Sequence, residues 1–265
     1  MKINFTKMSG TGNDFIIFDN RKKIKKLIDA SFIKKLCERK RGIGADGIIL
    51  LEKTKTDEFK MRIFNPDGNE VEMCGNGARC FVFWLKKNLL IKDKVSFVTK
   101  AGILQAEIKN KLIKLKMTSP QNIIPEIKLK KDLKVSFVNT GVPHTVILTN
   151  NLQETNVIEL GKFVRYHQKF QPNGTNVNFI TVKDEHTLYI RTYERGVENE
   201  TLSCGTGIVA SVIISDVLKY INSPVKVHTF GGDILKVYFE KEKNTYINVY
   251  LEGQAEIIYE GQIII

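Results

Sequence analysis

No apolar run in the sequence approaches the roughly 20 residues that cross a bilayer. The opening MKINFTKMSGTGNDF has neither a continuous apolar stretch nor a small-residue cleavage site. Neither a signal peptide nor a membrane partner is expected, and the expected location is cytoplasmic. The Asn-x-Thr triplets at Asn4, Asn173 and Asn199 then carry no meaning as glycan sites. Cysteine is scarce: Cys37, Cys74, Cys80 and Cys204 are all there are. No C-x-x-C occurs and no histidine stands near a cysteine in the chain, so neither a disulfide framework nor a zinc site is expected.

No G-x-x-x-x-G-K-[ST] loop is present either. The run Gly42 to Gly47 (GIGADG) matches G-x-G-x-x-G, but a helix-like segment (SFIKKLCERKR) precedes it and a strand (IILLE) follows. A dinucleotide site needs the opposite order, so nucleotide binding is rejected. Acidic residues are in deficit, 29 against 41 Lys and Arg, for a net charge of +12. The excess lies in lysine runs at Arg21–Lys26, Lys109–Lys116 and Lys128–Lys134, with no interleaved aromatics and no nucleic-acid motif. They read as solvated faces rather than a nucleic-acid groove. A basic field of this kind also draws in anionic substrates.

The residues present point to two copies of one unit. TGNDFIIF at Thr11 is answered by TGVPHTVI at Thr140, and GADGIILLE at Gly44 by GTNVNFITV at Gly174. MRIFN at Met61 pairs with IRTYE at Ile190, CGNG at Cys74 with CGTG at Cys204, and VSFVTKAG at Val95 with VKVHTFGG at Val225. The spacing is 129 or 130 residues throughout, and the division falls near Ser119–Lys134. In each half short β-branched strands lead to the CGxG turn, and an apolar helix follows, Ala78–Leu89 and Ile208–Ile221. The expected fold is α+β: two similar pseudo-symmetric domains, 1–119 and 120–265, each a sheet wrapped around a central helix.

The two CGxG turns carry the chemistry. Each sets a cysteine just before glycines that open a helix, beside backbone N–H groups and the positive end of the helix dipole. That setting lowers a thiol pKa, and the same N–H groups can hold a carboxylate. Inverting a carbon stereocentre needs an acid and a base on opposite faces, a task for one thiol and one thiolate. Most free cysteines are simply small core residues. Two at equivalent positions of a repeat, both in helix-opening turns, favour chemistry instead. Cys37 and Cys80 lack repeat counterparts and read as core.

The runs MRIFNPDGNEVEMCGNGARC (61–80), YERGVENETLSCGTG (193–207), GTGNDF (10–15) and GTNVNF (174–179) resemble diaminopimelate epimerase, in order and over nearly the whole chain. The resemblance implies an enzyme without pyridoxal phosphate, metal or other cofactor. It interconverts LL- and meso-diaminopimelate for lysine and peptidoglycan synthesis, with its active site in the interdomain cleft. It implies a catalytic pair of Cys74 and Cys204, with His144 and Glu194 tuning the thiols. Substrate contacts are implied for Asn13, Asn65, Gly75, Asn76, Asn176, Glu194, Arg195, Gly205 and Thr206. Val142 and Gly47 depart from the family pattern, standing where many members carry an asparagine and some a glutamine. The expected partner is a small-molecule amino-acid substrate, and a homodimer is left open. Two alternatives stay open on the residues alone: a two-cysteine racemase for proline or another free amino acid, and a non-catalytic basic binding module. Asn76 in CGNG, where proline-type enzymes carry CGHG, disfavours the former.

Overall fold

The computed structural model describes residues 2–56, 58–131, 133–243 and 245–264. In chain order the first elements are β1 (Lys2–Gly10), β2 (Asn13–Asp19), α1 (Ala30–Cys37), β3 (Gly47–Lys53), β4 (Phe59–Phe64) and β5 (Glu70–Val71). Then come α2 (Gly75–Lys87), β6 (Lys94–Thr99), β7 (Gly102–Lys109) and β8 (Leu112–Lys116). The second series is β9 (Gln121–Lys130), β10 (Leu133–Asn139), β11 (Pro143–Leu148), α3 (Val157–Arg165), β12 (Asn176–Asp184), β13 (Thr187–Glu194) and β14 (Asn199–Thr201). It continues through α4 (Gly205–Val217), β15 (Val225–Thr229), β16 (Ile234–Glu242), β17 (Thr245–Gln254) and β18 (Glu256–Ile264).

Two compact units result, Met1–Leu115 with Gly253–Ile265, and Lys116–Glu252. Strand pairing in the first runs β18, β1, β2, β3, β4, β6, β7, β8, with β5 also on β4. In the second it runs β9, β10, β11, β12, β13, β15, β16, β17, with β14 also on β13. Parallel pairs fall at the same places, β2 with β3 and β4 with β6, against β11 with β12 and β13 with β15. The two series differ in where the first strand comes from. β9 immediately precedes β10 in the chain, whereas the strand beside β1 is β18, from the far end. The compact units therefore divide the chain differently from the contiguous halves 1–119 and 120–265, because β18 pairs back onto β1.

Each unit wraps its strands around a central helix. α2 packs against β1, β2, β3, β4, β7 and β18, and α4 against β9 to β13 and β16. Asn76 to Leu85 of α2 and Gly207 to Ser215 of α4 are buried without interruption, so neither helix has a solvent face. The observed helices start three residues earlier than the apolar runs suggested, since glycine and polar residues form their first turns. A shorter helix covers the other side of each sheet, α1 over Ile16, Phe18, Ile48 and Leu50, and α3 over Val135, Ile147, Val177 and Phe179. Side chains alternate across a strand, so covering both faces makes β2 and β3 almost continuously apolar.

α3 is absent from the coarse sequence pattern. Its two β-branched residues at the start and Gly161 in its middle weaken the helical signal. Asn156 supplies the start, its side chain accepting from the Glu159 N–H at 3.2 Å. Gly161 is required by contact, since a Cβ there would lie 2.5–2.9 Å from Tyr193. Gly161→Ala should therefore destabilise the protein by about 1–3 kcal/mol through overpacking, against the roughly 1 kcal/mol gained in helix propensity. Urea midpoints of the two proteins would measure it, and a more stable variant would contradict the contact.

Candidate active site

Cys74 and Cys204 are the N-cap residues of α2 and α4, each a 13-residue helix. Both have extended backbone, φ −137° and ψ 123° at Cys74, φ −125° and ψ 109° at Cys204. Each cysteine carbonyl accepts the first helical bond, from Ala78 N–H at 2.8 Å and from Ile208 N–H at 2.9 Å. The N–H groups of Gly75 to Gly77 and Gly205 to Gly207 then lie outside the helical ladder, at the positive end of the dipole. A Cβ on Gly75 would meet nothing within 4 Å, so a ligand has open access to that backbone. Cys37 and Cys80 are core residues, as expected, and burial pushes their thiols up to about 11 and about 12.

In the first unit a chain of polar groups starts in α2. Arg79, fully buried, donates to Asn76 Oδ1 at 2.8 Å and to Thr11 Oγ1. Asn76 Nδ2 donates to Asn13 Oδ1 at 2.6 Å, and Asn13 Nδ2 to Asp46 Oδ2 at 3.1 Å. Asp46 is held by Arg39 at 2.7 Å, and Arg39 also forks onto Asp14 at 2.8 and 2.9 Å. Lys7, at 2.7 Å from Asp14, donates to the Gly44 carbonyl and ties down the GIGADG loop. The Arg39 and Lys7 cations hold the Asp14 carboxyl below its ordinary range despite burial. The loop's glycines thus serve a structural turn after α1. Asn13 and Asn76 are joined directly, with a donor of Asn13 committed to Asp46. Asn65 lies instead in the exposed turn between β4 and β5, its carbonyl accepting from Gly68 N–H at 2.9 Å. At Gly47 a Cβ would lie 2.7 Å from the Phe64 carbonyl oxygen, so this backbone leaves no room for a larger side chain such as glutamine.

The second unit brings the remaining residues together. Asn176 is buried and its amide braces backbone: Nδ2 donates to the Pro143 carbonyl at 3.1 Å, and Oδ1 accepts from Arg195 N–H at 2.9 Å. The Arg195 guanidinium donates to the Asn173 carbonyl at 2.8 Å. Neighbouring Glu194 is pushed up by burial. His144 is wholly buried, 2.9 Å from Thr206 Oγ1, and Thr206 Oγ1 lies 3.5 Å from Cys204 Sγ. Burial, with a smaller push from the Arg195 charge, takes His144 down to about 3. So His144 meets Cys204 through a threonine hydroxyl. The sequence reading missed Asn178, 3.1 Å from His144 Nδ1, although it lies in the GTNVNF run, two residues after Asn176 and on the same strand face. An asparagine inside an apolar strand was the available signal.

These folds and turns define a class. A phenazine biosynthesis protein of the PhzF family from Bacillus anthracis superimposes with a TM-score of 0.76 at 18% identity, covering 100% of both chains. A hydroxyproline epimerase from Agrobacterium vitis gives 0.70 at 13% identity, covering 99% of this chain and 92% of that one. The architecture is therefore that shared by PhzF-family proteins and amino-acid epimerases. Within it, the model of the diaminopimelate epimerase family matches residues 5–123 and 136–258. A diaminopimelate epimerase from Methanocella arvoryzae is 43% identical over 99% of this chain and 97% of its own length. The chain belongs to the diaminopimelate epimerase family, a family of isomerases.

Two outcomes follow from this geometry. Iodoacetamide at about pH 8 should label Cys74 and Cys204 well before Cys37 and Cys80, because the thiolate is the nucleophile and burial suppresses it at the latter two. Peptide mapping over time would read the order, and early labelling of Cys80 would contradict it. His144 has an ordinary value of 6.5 and a folded value of about 3. Between the two the unfolded chain binds the extra proton, so stability falls as pH drops through that window, by up to about 1.4 kcal/mol per unit. His144→Gln should flatten the pH dependence of the urea midpoint between about pH 6 and about pH 4.5. An unchanged slope would mean that His144 is not buried neutral.

Proposed function

We propose that this chain is a cofactor-independent diaminopimelate epimerase that interconverts the LL and meso forms through Cys74 and Cys204. The observation that carries the reading is the pair of N-cap cysteines, at equivalent positions of a duplicated unit, in a chain of this family. One thiolate takes the α-proton, breaking the Cα–H bond and leaving its electron pair delocalised into the substrate carboxylate. The other thiol gives its proton to the opposite face of the same carbon. The first sulfur ends as a thiol and the second as a thiolate, so the next turnover runs in the reverse sense or follows proton exchange with water.

Gly75 and Asn76, with Gly205 and Thr206, offer first-turn backbone N–H groups to the carboxylate beside the reacting carbon. Arg195 and the asparagines Asn13, Asn65 and Asn176 serve the rest of the substrate, Asn176 by holding the Arg195 backbone in place. Burial pushes the Glu194 carboxyl above its ordinary range and keeps His144 neutral, and both serve to tune the two thiols. The protein acts in the cytoplasm on a small-molecule substrate.

The test is exchange in deuterated water. Deuterium should enter the α-position of LL-diaminopimelate, and Cys74→Ala and Cys204→Ala should each abolish epimerisation while Cys37→Ala retains it. Near-normal epimerisation by either cysteine variant would overturn the two-thiol reading. A higher kcat/KM on proline or lysine than on diaminopimelate would overturn the substrate.

A further inference from the structure

The duplication leaves a difference beneath the two helix starts. The parallel pairing sets Phe15 opposite Gly47 in the first unit and His144 opposite Asn176 in the second. Two residues along, Ile17 faces Ile49 and Val146 faces Asn178, and on the next strand Ile63 faces Ile49 as Thr192 faces Asn178. The strand register thus matches Ile49 with Asn178 at an offset of 129, one less than the GADGIILLE and GTNVNFITV blocks suggested. A Cβ on Gly77 would touch Ile63, Ile49 and Phe15, and a Cβ on Gly207 would fall 2.3 Å from Asn178 Oδ1. So the same position under the helix holds an apolar trio, Phe15, Ile49 and Ile63, in one unit. In the other it holds a polar trio, His144, Asn178 and Thr192, all buried. A buried polar group without a partner costs of the order of 1–3 kcal/mol, so three together persist only if they satisfy one another.

They do, and the partners dictate every hydrogen. Asn178 places one amide atom 2.9 Å from the Thr145 carbonyl oxygen, which can only accept, so that atom is nitrogen. Its oxygen accepts from Thr192 Oγ1 at 3.1 Å. The second amide hydrogen points to His144 Nδ1 at 3.1 Å, which must then be the bare nitrogen of the ring. The ring proton of the neutral imidazole consequently sits on Nε2 and donates to Thr206 Oγ1 at 2.9 Å. With Oγ1 accepting from the ring, the hydroxyl hydrogen of Thr206 is left for Cys204 Sγ at 3.5 Å. The equivalent first-unit residue, Asn76, uses its amide on Asn13 and Arg79 instead.

We propose that Asn178 is a positioning residue for the epimerisation: it locks His144 as the Nε2–H tautomer and, through it, aims the Thr206 hydroxyl proton at the Cys204 sulfur. A donor on sulfur favours thiolate over thiol, so the relay biases Cys204 toward the base that accepts the α-proton. The inference rests on Cys204 being one of the two reacting thiols. Its primary readout, the tautomer, is independent of turnover: epimerisation by Cys204→Ala would sink that premise, whereas a wrong tautomer would sink the relay alone.

The experiment is nitrogen NMR of the full chain carrying ¹⁵N-histidine, with the His144 signals assigned by their loss in His144→Gln. His144 should be neutral with its proton on Nε2 from about pH 5 to about pH 8. A proton on Nδ1, or an imidazolium at neutral pH, would overturn the proposal. Asn178→Asp offers an acceptor where the amide donates, so it should protonate Nδ1. An unchanged tautomer in a folded Asn178→Asp protein would also overturn it. Thr206→Val removes the hydroxyl but keeps the backbone N–H, so kcat should fall about tenfold or more while KM holds within about twofold. Thr206→Ser should recover most of that loss. Wild-type kcat in Thr206→Val, or no recovery by serine, would exclude the hydroxyl link. The wild-type spectrum decides the tautomer even where Asn178→Asp does not fold.

Discussion

A helix buried on every side can meet a ligand only at its ends, and both units are organised by that constraint. α2 and α4 spend their lateral surfaces on strands of their own unit, which leaves the first turn as the place where backbone donors and side chains remain available. Each N-cap then becomes a point of convergence, where the cysteine, the glycines after it and the short strand before it are placed together by the helix axis. The glycines are needed for approach, at Gly75 toward open space and at Gly207 toward the Asn178 amide. Stability and function meet there: the apolar burial that holds the helix in the sheet also fixes where the thiol points.

Duplication supplied two such points, and divergence beneath them made them unlike. An apolar contact under the first helix asks only for shape, whereas the polar trio under the second asks for the right hydrogen on each atom. That demand makes His144 informative. Its burial keeps it neutral, and its two ring nitrogens face partners of opposite character, a committed donor on one side and a hydroxyl on the other. In the first unit the buried Arg79 cation orders the Asn76 and Asn13 amides from one end, and Asp46 anchors them at the other. Both units use fixed hydrogen-bond polarity near a cysteine, with a charged source in one and a neutral ring in the other.

Much of the fold was legible because the signals are local. The five repeated blocks announced the duplication, β-branched runs gave the strands, and Cys-Gly followed by an apolar run located both helix starts within three residues. The core status of Cys37 and Cys80 was legible for the same reason, as both sit in amphipathic or apolar helical stretches. α3 escaped notice because Val157, Ile158 and Gly161 have weak helical preference, and what holds it is packing on Tyr193 together with the Asn156 cap. Asn178 was overlooked because an asparagine in an apolar strand signals a buried polar contact without naming the partner, and that partner, His144, lies on another strand.

The sequence by itself determined the duplicated architecture, the family, and the two cysteines as helix-opening residues, since each rests on motifs of contiguous residues whose chemistry is read directly. Only tertiary structure decided that Gly253–Ile265 completes the first unit, because strand pairing joins residues far apart in the chain and leaves no mark in either strand's own pattern. Only tertiary structure, too, decided which hydrogen sits where around His144. A tautomer depends on the partners of both ring nitrogens, and those partners come from β12 and from the first turn of α4, brought to one ring by the parallel pairing of β11 with β12 and by the packing of α4 on both.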